Sequence, residues 1–266
     1  MKFDIDGHAA YAYTGGKPWA PAARTVVFVH GALHDHSVWT LLARWYAHHG
    51  YAVLAVDQPG HGRSGGPPAT SVEALADWLV ALLDAAGVGQ AHLVGHSMGS
   101  LIALETAARA PERAAGLVMV GTAYPMKVSP ALLATARDDP ARAIAMVNAF
   151  SHSGIASKPS YPGPGTWLHG ANSALMHRIQ DGGDGNLFEH DFRLCDAYAH
   201  GLEAAADVRC PAHLVVGERD VMTPARATTA LAQALRAQVL QVAAGHALMQ
   251  EAPDAVLNAM RQAIPA

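Results

Sequence analysis

The chain has 266 residues, of which 51% are hydrophobic and 15% charged, and its formal net charge is −4. This composition is typical of a globular protein with a large core, and the lack of a long basic run argues against a nucleic-acid partner. Two cysteines, Cys195 and Cys210, are too few for a disulfide framework. The sequence shows neither a signal-peptide core nor an apolar run of the roughly 18 residues that a membrane span needs. We therefore expect a cytoplasmic protein without membrane insertion.

Six short apolar runs predict buried strands, at about residues 25–29, 52–56, 91–94, 116–120, 212–216 and 238–242. A helical pattern follows each run, and this alternation predicts a mostly parallel sheet with helices on both faces. Asp6-Gly7 predicts a two-residue hairpin turn near the start. The alternation stops after Val120 and the sequence is helical from about Tyr124 to Ala206. We therefore expect an α/β core of residues 1–123 and 207–266, interrupted by a helical segment, 124–206.

The run at 91–94 leads into the most informative motif, Gly95-His96-Ser97-Met98-Gly99, which matches G-x-S-x-G. Residues 100–108 are rich in helix formers, so Ser97 is expected on a sharp turn between a strand and a helix. The glycines leave room for that turn, which exposes the serine oxygen for nucleophilic attack. The alternative is a glycine-rich turn without chemistry, and the strand and helix on either side argue against it.

At this motif the chain resembles the α/β-hydrolase superfamily, in its serine esterase branch, and is similar to carboxylesterases and cofactor-free haloperoxidases. In that family the acid and then the histidine follow the serine along the chain. His246 matches the histidine, because a strand-like run, 239–242, and a small-residue turn precede it. Residues 245–253 look like the family's histidine loop. A histidine in a surface loop is the alternative.

The resemblance places the acid just after the strand at 212–216, where Asp220 stands. An acid in this position orients the imidazole and stabilises its charged form. Glu218, two residues earlier, is the main competitor. Asp196 and Asp207 are weaker candidates, because both have the pattern of helical or post-helical surface residues.

The resemblance also implies an oxyanion hole made by two backbone N–H groups. One belongs to Met98, at the start of a helix, where the N–H groups are free. The other is assigned to Ala32, in the loop that begins with His30-Gly31 and ends at Trp39. Residues 57–64 match the family's D-x-x-G-x-G-x-S turn, for which we predict a structural role in bracing that loop.

In this family an insertion between the serine and the acid forms a helical cap, so residues 124–206 are expected to cover the site. Side chains predicted for the substrate pocket are Leu33, Trp39, Tyr124, Trp167 and Met176. Met146, Phe150 and Tyr161 are further candidates. The alternative is that the side chains of the cap only form its own core.

Taken with the resemblance, these residues predict a serine hydrolase that cleaves carboxylic esters of small or medium molecules through an acyl-enzyme. Hydrolysis of C–C bonds, lactones, amides or thioesters, perhydrolysis, and a non-catalytic small-molecule receptor are the alternatives. No cofactor is expected. The 16 histidines show no H-E-x-x-H spacing, and no C-x-x-C is present, so no metal is expected either. The expected partner is a small-molecule ester, and the oligomeric state is left open.

Overall fold

The computed structural model describes residues 1–21, 24–154 and 167–265. Within them, the strands form one sheet in the order β1-β2-β4-β3-β5-β6-β7-β8. The strands are Lys2–Ile5 (β1), His8–Tyr13 (β2), Thr25–Val29 (β3), Ala52–Val56 (β4), Ala91–His96 (β5), Ala114–Val120 (β6), Ala212–Gly217 (β7) and Gln238–Val242 (β8). β2 pairs antiparallel with β1 and β4, and all other pairs are parallel. The predicted mostly parallel sheet is confirmed, and Asp6-Gly7 joins β1 to β2 as predicted.

The helices follow the strands along the chain. They are Thr40–His48 (α1), Val72–Ala85 (α2), Met98–Arg109 (α3), Pro130–Asp138 (α4), Pro140–Ser151 (α5), Leu168–Gly182 (α6), Leu187–Ala197 (α7), Gly201–Asp207 (α8), Thr229–Leu235 (α9), Leu248–Glu251 (α10) and Pro253–Ala263 (α11). Among the described residues, none of these helices is both long and apolar enough to cross a membrane.

Helices cover the sheet on both faces. Apolar side chains of α2 and α3, such as Leu79 and Leu101, pack on one face. On the other face, α1 and α11 contribute Tyr46 and Val256. The central parallel strands are buried on both sides and therefore form continuous apolar runs in the sequence. Because their carboxyl ends meet at one edge of the sheet, the loops after β3, β5, β7 and β8 come together there.

The helices α4 to α8 lie in the chain between β6 and β7, and we call them the insertion. Helices α4 to α7 pack mainly against one another, whereas α8 packs against α3 and α9 of the α/β core. The division of the chain at residues 124 and 206 stays a prediction.

Candidate active site

Ser97 lies on the sharp turn between β5 and α3, with φ +51° and ψ −121°. This left-handed φ is strained for a residue with a side chain. The glycines beside it make the turn sterically feasible. A Cβ on Gly95 would lie 2.0 Å from the carbonyl oxygen of Gly99, and one on Gly99 would lie 2.4 Å from those of Val29 and His30. The start of α3 therefore packs directly against the end of β3.

Backbone and side-chain hydrogen bonds hold this turn. The N–H of Ser97 donates to the carbonyl oxygen of Val120 at 2.9 Å, which ties the turn to β6. The Ser100 hydroxyl lies 2.6 Å from the carbonyl oxygen of Ser97 and 2.7 Å from Oγ1 of Thr122. The strained conformation of Ser97 is thus fixed by its neighbours in the fold.

His246 and Asp220 meet at the same edge of the sheet. Nδ1 of His246 lies 2.8 Å from Oδ2 of Asp220, and both residues are buried. Glu218, the competing carboxylate, is exposed. Burial opposes ionisation of Asp220, but the imidazole of His246 and the donors of Thr223 hold the pKa of its carboxyl well below the usual range. The carboxylate therefore stays ionised beside the imidazole.

Thr223 completes the surroundings of Asp220, and the sequence analysis missed it. Its N–H donates to Oδ1 of Asp220 at 2.8 Å, and its hydroxyl donates to Oδ2 at 2.6 Å. The N–H of Met222 adds a third donor to Oδ1 at 2.9 Å. The signal in the sequence was a threonine three residues after an aspartate, a spacing that favours local side-chain hydrogen bonds.

His96, next to the serine, supports the histidine loop. Nε2 of His96 lies 2.9 Å from the carbonyl oxygen of His246, and the two ring centroids are 4.9 Å apart. Burial holds the pKa of His96 well below its usual range, and the charge of His246 lowers it further, so the ring of His96 is neutral. With Nδ1 of His246 directed at Asp220, Nε2 is left as the proton acceptor of that imidazole.

The loop after β3, residues 30–39, is called the oxyanion loop here. It lies against the serine turn, since a Cβ on Gly31 would be 3.1 Å from that of Ser97. The N–H of Gln58 donates to Nε2 of His30, and its side-chain amide donates to the carbonyl oxygen of His30 at 2.7 Å. Ala32 lies in this loop, and Met98 begins α3. Their role as oxyanion donors stays a prediction.

Asp57 braces the same loop from the turn after β4, the structural role predicted from the sequence. Its Oδ1 accepts the N–H of His36 at 2.7 Å, and its Oδ2 accepts the N–H of Arg63 at 2.9 Å. Asp35, His36 and Asp57 are close enough to share a metal ion. The guanidinium of Arg178, however, donates to Asp35 at 2.7 Å. A cation and donor groups therefore already contact these carboxylates, and the absence of a metal stays a prediction.

The insertion is hydrogen-bonded to the oxyanion loop through a buried carboxylate that the sequence analysis did not identify. Oδ2 of Asp191, in α7, accepts the N–H of Leu33 at 2.8 Å and lies 2.9 Å from Nε2 of His61. Leu33 has a φ of +55°. Burial opposes the charged form of both side chains, but each charged side chain stabilises the other. The pKa of Asp191 is therefore lowered and that of His61 is raised. The sequence signal was a charged residue on the apolar face of a helix.

The carbonyl side of the same peptide group is linked to helix α6. Nδ1 of His34 lies 2.7 Å from the carbonyl oxygen of Ala32, and Nε2 lies 2.9 Å from Oδ1 of Asn172 in α6. The Asn172 amide in turn donates to Oδ1 of Asn148 in α5 at 3.0 Å. The peptide between Ala32 and Leu33 is therefore bound on its carbonyl side by His34 and on its N–H side by Asp191.

A cavity of about 350 Å³ opens beside the serine turn, and its wall is mainly apolar. Ser97, Ala32 and His246 lie on this wall. Its apolar side chains include Met126, Val128, Leu132, Met146, Val147, Phe150, Phe192, Cys195, Val221 and Met222. Met146 and Phe150, two of the further pocket candidates, are among them. Tyr161 lies outside the described residues.

The five side chains first predicted for the pocket do not line this cavity among the described residues, which corrects that prediction. Leu33, Trp39 and Met176 are buried in the core. Tyr124 packs against Gly201 of α8, and its hydroxyl donates to the carbonyl oxygen of Ala199, just before that helix. Trp167 is 52% exposed. The positions of Trp167 and Met176 depend on how the insertion packs, which local sequence patterns do not encode.

Comparison with known proteins agrees with this fold. The family model described as alpha/beta hydrolase fold matches residues 24–162, and the chain belongs to that family. It is 32% identical over 250 residues to the pimeloyl-[acyl-carrier protein] methyl ester esterase of Chromobacterium violaceum, covering 90% of this chain and 85% of that protein. The protein is thus a member of a hydrolase superfamily with esterases among its relatives.

Two further comparisons are more limited. The chain is 37% identical over 119 residues to the dihydrolipoyllysine-residue acetyltransferase component of the acetoin cleaving system of Cupriavidus necator, covering 44% of this chain. The chain covers 28% to 36% of the length of three curated relatives, and this acetyltransferase component is one of them. The crystal structure of the enol-lactonase from Burkholderia xenovorans superposes with a TM-score of 0.83 at 20% identity, over 100% of both chains, and shares the fold.

Proposed function

We propose that this protein is a serine hydrolase that cleaves carboxylic esters of small or medium molecules through an acyl-enzyme. One observation carries the proposal. Ser97 and His246 lie on the wall of one apolar cavity, and His246 is paired with buried Asp220 at 2.8 Å. A serine needs a base, and the base needs an orienting carboxylate, to act as a nucleophile at neutral pH.

In the proposed reaction, Oγ of Ser97 attacks the ester carbonyl carbon, and Nε2 of His246 accepts its proton. The N–H groups of Ala32 and Met98 stabilise the oxyanion, each by a few kcal/mol. His246 then protonates the leaving alcohol, and water hydrolyses the acyl-enzyme. Asp220 keeps its charge throughout and stabilises the imidazolium.

The apolar wall of the cavity favours a hydrophobic acyl or alcohol group. The similarity to a methyl ester esterase over most of the chain supports ester chemistry over the other reactions of the superfamily. We further propose that residues 124–206 act as the cap over this cavity. Cys195 and Cys210 are both free thiols, which supports the proposal of a reducing, cytoplasmic location.

The test is turnover of p-nitrophenyl esters together with active-site labelling. Ser97→Ala should lower kcat by about three orders of magnitude or more. A serine-directed phosphonate should add its mass to the peptide that contains Ser97. Ser173→Ala, on α6, is the matched control and should keep both activity and labelling. Labelling of another serine, with Ser97→Ala still active, would overturn the proposal.

A further inference from the structure

The peptide group that follows His246 is bound from two sides. On the side of the α/β core, Nε2 of His96 lies 2.9 Å from the carbonyl oxygen of His246. On the side of the insertion, the N–H of Ala247 donates to the carbonyl oxygen of Ser151, the last residue of α5, at 2.8 Å. The backbone that carries the proposed base is therefore attached both to the core and to the insertion.

A buried carboxyl group makes a second link between the histidine loop, residues 245–253, and the end of α5. Glu251 is the last residue of α10 and is 4% exposed. Its Oε1 accepts the N–H of Ser153, just after α5, at 2.9 Å. The mechanism proposed above does not use this carboxyl group. The two links together fix the carbonyl oxygen of Ser151 and the N–H of Ser153, on either side of His152.

Gly245, directly before the proposed base, lies where these groups meet. A Cβ at Gly245 would be 2.8 Å from Oε1 of Glu251, 2.8 Å from the backbone nitrogen of Ser153 and 3.0 Å from the carbonyl carbon of His152. The carboxyl group and the end of α5 therefore pack onto the backbone of the histidine loop with no room for a side chain. A displacement of either group acts on the residue next to His246.

The same helix forms part of the wall of the substrate cavity. Met146, Val147, Phe150 and Ser151 of α5 line that cavity. The hydroxyl of Ser151 donates to the carbonyl oxygen of Val147 at 2.8 Å, within the last turn of the helix. Because closely packed side chains transmit a displacement instead of absorbing it, the position of α5 affects both the cavity wall and the base.

We propose that Glu251 is a positioning residue that keeps the imidazole of His246 aligned with Ser97 by holding α5 on the histidine loop. This inference rests on the proposed function. Asp220 engages Nδ1 of the ring, but the backbone of the ring depends on the links to His96 and to α5. Proton transfer needs the imidazole within hydrogen-bond reach of the reacting oxygen, and a misplacement of about 1 Å can cost about 10²-fold in rate.

A displaced imidazole should affect two kinds of ester unequally. The imidazole must protonate the leaving oxygen of an ethyl ester, because an alkoxide is a strong base and a poor leaving group. A p-nitrophenolate is a weak base and leaves with less help. A smaller fraction of folded protein would lower the turnover of both esters alike. The ratio of kcat/KM for the ethyl and p-nitrophenyl esters of one acid therefore reports on the position of the imidazole.

The experiment measures this ratio in variants of Glu251. Glu251→Met keeps the side-chain length and removes the acceptor for the N–H of Ser153. It should lower kcat/KM about tenfold for the p-nitrophenyl ester and at least about thirtyfold for the ethyl ester. KM should change less than about threefold, because Glu251 does not line the cavity. Glu251→Gln keeps an accepting oxygen and should stay within about threefold for both esters. Asp254→Ala, at an exposed carboxyl group of α11, is the matched control and should leave the ratio unchanged.

Glu251→Asp withdraws the acceptor by one methylene group and should show the same inequality at smaller size, about threefold against about tenfold. It decides the inference if Glu251→Met does not fold. Equal losses for the two esters, no loss, or a Glu251→Gln variant as impaired as Glu251→Met would overturn the inference. In those cases, turnover of both esters by the unsubstituted protein and phosphonate labelling of Ser97 would still uphold the proposed function. If the unsubstituted protein showed neither turnover nor labelling of Ser97, both would fail.

Discussion

Asp191 offers a demanding test of how the insertion supports the active site. Asp191→Ala leaves the N–H of Leu33 and the imidazole of His61 buried without their common acceptor. Breaking a buried ion pair by removing one partner costs about 3–5 kcal/mol, which is the expected loss in the free energy of unfolding. Asp191→Asn keeps an oxygen for both donors and loses the charge, so we expect a loss of about 1–2 kcal/mol.

Asp191→Ala should also lower kcat. Ala32 precedes Leu33, and loosening their shared peptide group moves the N–H that we propose as an oxyanion donor. Losing such a donor outright costs about 10²–10³ in kcat, and displacing it should cost part of that, about 10-fold to 100-fold in Asp191→Ala. KM should change by less than about threefold, because Asp191 does not line the cavity.

The assay is ester turnover normalised to active sites by phosphonate titration of Ser97, with urea unfolding measured in parallel. Glu189→Ala, on the same helix, removes a partly exposed pair with Arg193 and is the control, with less than about 1 kcal/mol expected. Loss of stability in Asp191→Ala with an unchanged kcat per active site would refute the reasoning and leave Asp191 a purely structural residue.

The pair should also leave a signature in the pH dependence of stability. The pKa of Asp191 is lowered from 3.8, so its contribution is present above that pH and is lost as the pH falls through the folded value. The pKa of His61 is raised from 6.5, so its contribution is present below that pH and is lost as the pH rises through the folded value. The difference in unfolding free energy between the unsubstituted protein and Asp191→Asn should be largest between these two pH values.

Three further outcomes are expected. Asp220→Asn should fold but lose kcat by orders of magnitude, because His246 would adopt the wrong tautomer. Glu218→Gln, at an exposed position, should change kcat less than about twofold. The reverse ranking of the two variants would contradict the assignment. Ester turnover should survive exhaustive dialysis against a chelator, and recovery of lost activity by a divalent ion would refute this. Phe150→Ala should alter the ranking of acyl chain lengths, and Trp167→Ala, at a ring 52% exposed and outside the cavity, should not; chain-length series of both variants decide it.

The sheet and the serine turn could be predicted because their signals are local. Buried parallel strands form continuous apolar runs, and the turn at Ser97 requires glycine at both Gly95 and Gly99 for steric reasons. Asp220 and His246 could be proposed through the order of residues in the family. The structure adds to that prediction the hydrogen bond that joins them and the three donors that surround the acid.

The walls of the pocket and its supports could not be predicted in the same way. Which side of α5 or α6 faces the cavity depends on tertiary packing, so Phe150 lies on the wall and Trp167 faces outward. The partners of Asp191 are 158 and 130 residues away along the chain. Only the placement of a carboxylate among the apolar residues of α7 indicated that it has a buried partner.

Substitutions on α5 and on α7 of the insertion should differ in their cost to the fold, and this difference affects how the protein can diversify. Substitutions on α7 at Asp191 disturb a buried ion pair and should be removed by selection before they alter substrate choice. Phe150 on α5 lines the cavity yet is 58% exposed, so replacing it sacrifices little buried area. Positions of this second kind can vary at small cost to the fold. New substrate ranges should therefore arise first on α5, and libraries directed to that helix should yield more folded variants than libraries directed to α7.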